Sequence, residues 1–222
     1  MTDATCLELA ALAPAGAALH LRPGDRLVRI NGLPFSGSAA DLGARFAAAS
    51  PLALGFRRAE AEFTLLAATA ALGRWDQIAA PLPADAPRLQ PEALRNWEVM
   101  AAPDGRYDLQ PVPPSILSLV ATAVWLLQMR LWGLAAALTA AVALALMVSP
   151  WLAVAVHLLA SVHVWRSGAA YVRADRRMRG LHPAATLAAR SESGAHAAWL
   201  ALHPRGRFLF ARVLPEPAAA SA

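Results

Sequence analysis

Leu21-Arg-Pro-Gly-Asp-Arg-Leu-Val-Arg-Ile-Asn-Gly-Leu-Pro-Phe35 is the most informative stretch of the chain. Pro23-Gly24-Asp25 reads as a tight turn, since glycine takes positive φ without steric cost. Arg26 to Ile30 alternates polar and apolar side chains like a half-buried strand, with Leu27 and Ile30 inward if one bulge is allowed. Asn31-Gly32 is a hairpin-turn pair, because both central residues of that turn need positive φ. Turn, strand and hairpin turn in direct succession predict a small β-rich unit.

The stretch from His20 to Phe35 resembles the centre of PDZ domains, which carry Gly-Leu-x-Pro-Gly-Asp-x-Ile-x-x-Ile-Asn-Gly-x-Pro-Val at this point. The flanking elements follow in the expected order. Ser38–Ala49 reads as a helix capped by Ser38, and Pro51–Arg58 and Glu62–Ala68 read as closing strands around a polar turn. The resemblance covers about residues 5–70. It implies capture of a peptide as an added strand on a sheet edge, with Leu42 and Phe46 lining the groove. The plainer alternative is that Leu42 and Phe46 are core residues. No Gly-Leu-Gly-Phe-type carboxylate loop precedes the motif, so the groove strand is abbreviated or contributed differently.

Charge divides the chain into three. All 20 basic residues are arginine. Residues 1–108 hold ten of them and twelve acids. Residues 109–165 hold Arg130 alone, and residues 166–213 hold nine arginines against Asp175 and Glu192. Only 16% of the chain is charged and 57% is hydrophobic, with mean hydropathy +0.41, against about 25% charged in ordinary soluble domains. An uncharged stretch followed by a basic flank is the pattern of a membrane segment under the positive-inside rule. The N-terminus lacks the basic start and apolar core of a secretory signal. Cys6, the only cysteine, excludes an intrachain disulfide.

Arg130 and Ser149-Pro150 cut residues 115–168, the predicted membrane domain, into an interfacial or re-entrant helix at 116–129 and two spans at 132–148 and 151–167. The alternative is three spans, with Arg130 snorkelling at one end. A hairpin places Trp132 and Trp165 at one interface and Trp151 at the other, with Arg130 at the cytoplasmic side. Gly133, Ala137, Ala141 and Ala145 recur every four residues, as do Ala153, His157 and Ser161. Small residues at that spacing let helices approach closely, so the two rows either face each other or recruit a partner helix. His157 and His163 fall on different faces of one helix and do not form a metal pair.

Residues 1–73 form the predicted PDZ-like unit. Residues 74–114, with eight prolines, read as an extended linker with one short helix at Pro91–Met100. Residues 169–222 read as a basic cytoplasmic tail touching anionic lipid, with strand, helix and strand at Ala184–Arg190, Glu192–Leu202 and Arg207–Val213. From Pro114 to Leu202 the chain also resembles small bacterial inner-membrane proteins of unknown function. The matching residues are Trp125-Leu126-Leu127-Gln128-Met129-Arg130-Leu131-Trp132, Arg173–Gly180 and Ala188-Ala189-Arg190.

The expected fold class is therefore α+β: a PDZ-like unit, a proline-rich linker and a transmembrane helical hairpin. Zinc-protease and nucleophile-elbow motifs are absent, and no carboxylate pair lies in the membrane segment. No enzymatic activity, catalytic residue, metal or cofactor is expected, and nucleic acid is not an expected partner. The expected partners are membrane lipids, a larger membrane-protein complex, and a peptide ligand or a second copy. The expected role is an adaptor or auxiliary subunit in the bacterial inner membrane, with both termini cytoplasmic. The alternatives are a small oligomeric channel or transporter and, last, an accessory of a membrane protease.

Overall fold

Asn31 and Gly32 both take positive φ, at 53° and 84°, and turn the chain from one strand directly into the next. The computed structural model describes residues 5–79, 81, 83–84 and 86–211. Its first part runs β1 (Thr5–Leu12), α1 (Pro14–Ala18), β2 (Arg26–Ile30), β3 (Leu33–Pro34), α2 (Ala39–Ala48), β4 (Leu52–Arg58), β5 (Ala61–Ala67) and β6 (Gly73–Ala79). These strands form an antiparallel sheet of order β5-β4-β2-β1-β6, with β3 paired to β2. Ser38 and Asp41 close a capping box on α2, which satisfies backbone N–H groups that a helix start leaves orphaned. Asp25 is buried beside the turn. It accepts the Arg22 backbone N–H and two guanidinium bonds from Arg58.

Residues 74–114 are not a linker. After β6 the chain crosses the first hairpin, where the Leu89 N–H donates to the Asn31 carbonyl at 2.8 Å. A 3-10 turn at Pro91–Ala93 replaces the expected helix and leads into β7 (Arg95–Ala101) and β8 (Arg106–Val112). These pair with β9 (His182–Ala189) and β10 (Arg207–Phe208) in a second sheet of order β10-β8-β7-β9. Proline density misleads here because most of the prolines sit between strands. Pro111, the one inside β8, lies beyond the two residues that β10 covers, so its missing N–H costs no ladder bond on that side. The tail folds back: β9, α7 (Glu192–Leu202) and β10 complete the second sheet and its cover. Trp97, Val99, Tyr107 and Leu187 share one continuous core with Leu54, Phe63 and Trp199.

Between β8 and β9 lie α3 (Leu117–Val120), α4 (Thr122–Gln128), α5 (Trp132–Val148) and α6 (Pro150–Met178). The molecule is thus mixed α+β. The expected single helix at 116–129 is two short helices that break at Ala121. They are packed rather than peripheral. Trp125 lies against Gly168 so closely that a Cβ there would stand 2.6 Å from its ring. The Thr122 hydroxyl lies 2.7 Å from that of Ser161.

α5 and α6 form a hairpin turning at Ser149-Pro150. α6 has 29 residues, and its most apolar 18-residue stretch has a mean hydropathy of 1.2; it is the one helix among the described residues long and apolar enough to cross a membrane, and α5 is shorter. The small-residue rows do not face each other as drawn from sequence. Gly133, Ala137 and Ala141 are exposed, and the covered face of α5 is Ala135, Leu138, Val142 and Ala145, in line with Leu131 just before the helix. A strict four-residue repeat drifts about 40° per step around a helix of 3.6 residues per turn, whereas alternating threes and fours stay on one side. On α6, Ala153 and Ser161 are buried and His157 is half-buried, so that row does face inward.

Candidate functional site

Alternation gives the second sheet two unlike faces. Trp97, Val99, Tyr107 and Leu109 point into the apolar core. Glu98, Asp108, Gln110 and Thr186 point to the other side and are buried as well. The register lines up Gln110, Glu98 and Thr186 in one row across three strands. Unpaired, such a row would be prohibitively costly to bury. The long end of α6 supplies its partners.

Glu98, only 1% exposed, is the centre. Arg173 Nε reaches both its oxygens, at 2.9 and 2.8 Å. The Gln110 amide donates to it at 2.5 Å. His20, from the first sheet's side, brings Nε2 within 3.6 Å of the carboxylate, while its Nδ1 lies 3.1 Å from the Thr186 hydroxyl. One helical turn on, Arg176 is bound by Asp108 at 2.5 Å and by Asp175, and donates to the Met129 carbonyl at 2.9 Å. Arg173 and Arg176 are therefore not a lipid-facing flank, contrary to the sequence expectation. Arg166, Arg177 and Arg179 remain exposed.

Burial holds the His20 imidazole below its ordinary pKa, and Arg173 pushes the same way. Glu98 pulls upward but is already neutralised by Arg173, so His20 is neutral at neutral pH. Thr186, His20 and Glu98 stand in the order hydroxyl, imidazole, carboxylate. The Thr186 hydroxyl is covered, however, and the carboxylate is committed to an arginine. This arrangement orients and locks; it has no exposed nucleophile. Among the described residues no group of three or more histidines, cysteines and acids could hold a metal ion.

The first sheet has two edges, and they are treated differently. At β5 the Asn96 side chain takes the Leu66 N–H at 2.8 Å and returns its own N–H to the Leu66 carbonyl at 2.8 Å. This blunts the edge. At β6 no strand among the described residues pairs with the outer side. Arg74, Asp76 and Gln77 are exposed there, while Trp75 and Ile78 are half-buried. The sequence reading missed this edge because it assigned β6 to the linker; two half-buried apolar residues three apart are a weak strand signal.

Leu42 is fully buried and Phe46 packs against the same core. A side chain with no exposed surface offers a peptide nothing, so Leu42 is a core residue. Trp132, Trp151 and Trp165 are exposed, with Trp151 at the turn and the other two towards the opposite end of the hairpin. Arg130 takes φ 59° at the corner before α5. Its guanidinium lies 3.8 Å over the Phe210 ring, so it anchors the C-terminal segment. His163 bonds the Tyr171 hydroxyl at 2.6 Å.

Comparison with protein-family models, with curated proteins and with solved structures gives no match.

Proposed function

We propose that the chain is a membrane-anchored docking subunit, in which the α5–α6 hairpin lies in the bilayer and the PDZ-like first sheet receives an extended protein segment on β6. The observation that carries this reading is the contrast between the sheet's edges: the protein caps β5 with its own Asn96, while no strand among the described residues pairs with the outer side of β6. An open edge presents unpaired N–H and C=O groups, which an added strand satisfies. β6 also takes the place beside β1 where a groove strand was missing from the sequence pattern. Support for the anchor comes from the large apolar side chains left bare on both helices, among them Met147, Val148, Trp151 and Leu159. Both sheets then lie on the cytoplasmic side, beside the exposed Arg166, Arg177 and Arg179. The role is that of an adaptor or auxiliary subunit of a larger inner-membrane complex, without catalysis of its own.

The test uses the full chain in lipid nanodiscs and a peptide selected from a random ten-residue library. The selected peptide is expected to slow amide hydrogen exchange in β6 and leave β5 unchanged. Protection at β5 or elsewhere, or no selectable binder, overturns the reading.

A further inference from the structure

A cavity of about 710 Å³ opens where the first sheet, the second sheet and the end of α7 meet. It lies apart from both β6 and the α6 junction. This size falls within the range of small-molecule sites, which form preferentially between structural units. Ala61, Phe63, Ala185, Trp199 and Leu202 give it an apolar wall. Arg22, Arg58, His203 and Arg205 supply every charged or titratable side chain lining it, and no carboxylate is among them.

The three arginines are not equivalent. Arg58 is held by Asp25 in two hydrogen bonds. Arg22 gives Asp25 only its backbone N–H. Among the described residues no acid lies within ion-pair distance of the Arg22 or Arg205 guanidinium. Burial first, and then Arg22 and Arg58, hold His203 below the ordinary histidine pKa, which registers a positive field at the mouth. Trp199 is nine-tenths buried in the wall, and its indole N–H has no acceptor among the described residues. Buried donors of that kind are uncommon in native structures.

We propose that this cavity binds a small amphipathic carboxylate, with its apolar body against Phe63, Trp199 and Leu202 and its acid between Arg22 and Arg205. An apolar cavity alone would take any hydrophobic solute. The two guanidinium groups with no acid partner among the described residues make it select an anion, because a charge-assisted bond to carboxylate is about twice as strong as a neutral one.

The probe is 2-naphthoate, titrated calorimetrically into the full chain in lipid nanodiscs, with empty nanodiscs as the blank and 2-naphthamide as the uncharged control. Saturable one-to-one binding of naphthoate is expected, at least about tenfold tighter than naphthamide, as hydrogen bonds to a charged group imply. Arg22→Gln with Arg205→Gln, both at exposed positions, is expected to remove that preference while leaving the melting temperature unchanged. Leu202→Trp, which places a larger ring in the apolar wall where the probes' rings would lie, is expected to weaken binding of both probes at least about tenfold. Equal affinity for the two probes, naphthoate binding that survives the double arginine change, or no saturable binding overturns the proposal.

Discussion

The two faces of the second sheet are built from the same strands, residue by residue in alternation, yet they are held in opposite ways. The face towards α7 is closed by Trp97, Val99, Leu109 and Leu187. The face towards α6 is closed by Glu98 and Asp108 against Arg173 and Arg176. Apolar packing is non-directional and tolerates small slips. Buried ion pairs do not, because each guanidinium must meet its carboxylate or leave a charge uncompensated. The apolar face supplies stability, and the charged face fixes where along α6 the sheet sits.

Breaking the charged face should have the largest effect. Arg176→Met leaves Asp108 buried without its partner, while half-buried Asp175 keeps Arg179, and is expected to cost about 3–5 kcal/mol, the range for removing one member of a buried pair. Leu187→Ala, on the other face, is expected to cost about 2–5 kcal/mol but to leave the α6 junction intact. Denaturant unfolding gives both losses. A spin-label distance from α6 to β8 separates them, since it should broaden only in the arginine variant. Equal broadening in the two variants would show that the faces do not divide the work.

A smaller effect measures how strongly the junction is coupled. A double-mutant cycle of Glu98→Gln and Arg173→Gln should return a coupling energy of about 1–3 kcal/mol, the upper part of the range for groups in one network. A coupling near zero would mean that Arg173 and Glu98 are neighbours without being partners.

The smallest effect is set by His20. Its folded pKa lies below the ordinary value of 6.5, so the unfolded chain binds a proton that the folded one resists. The stability it contributes is complete above about pH 6.5 and is lost as pH falls towards its depressed pKa. The loss is at most about 1.4 kcal/mol per pH unit for one proton. His20→Gln should flatten that part of the acid slope, read as the difference in unfolding free energy between pH 7.5 and pH 5.5. An unchanged slope would place the proton elsewhere, and His203, also held low, is the next histidine to replace.

Much of the first sheet is legible in the sequence. Pro23-Gly24-Asp25, Asn31-Gly32 and the Ser38 cap act through local backbone conformation, which each residue type carries with it. The hairpin from Trp132 to about residue 167 is legible for a similar reason, since long apolar runs interrupted by Ser149-Pro150 leave few choices, whereas the continuation of α6 to Met178 reads as tail. The terminal strand–helix–strand was also read within a few residues for β9 and α7. The linker reading failed at β7 and β8, where eight prolines outweighed an alternation that Trp97, Val99, Tyr107 and Leu109 do carry.

Local residue chemistry thus settled the turns, the caps and the division into a neutral helical part between two charged ones. It could not settle what the arginines after Trp165 do. Positive charge near an apolar helix looks the same in sequence whether it meets lipid phosphate or a carboxylate of the same chain. Asp108 and Glu98 stand more than sixty positions before Arg176 and Arg173, and the strand register brings them together. Pairings across such separations depend on which sheet edge closes on which helix. That is a property of the packed whole, because the desolvation cost that forces each charge to find a partner exists only once the chain has folded around it.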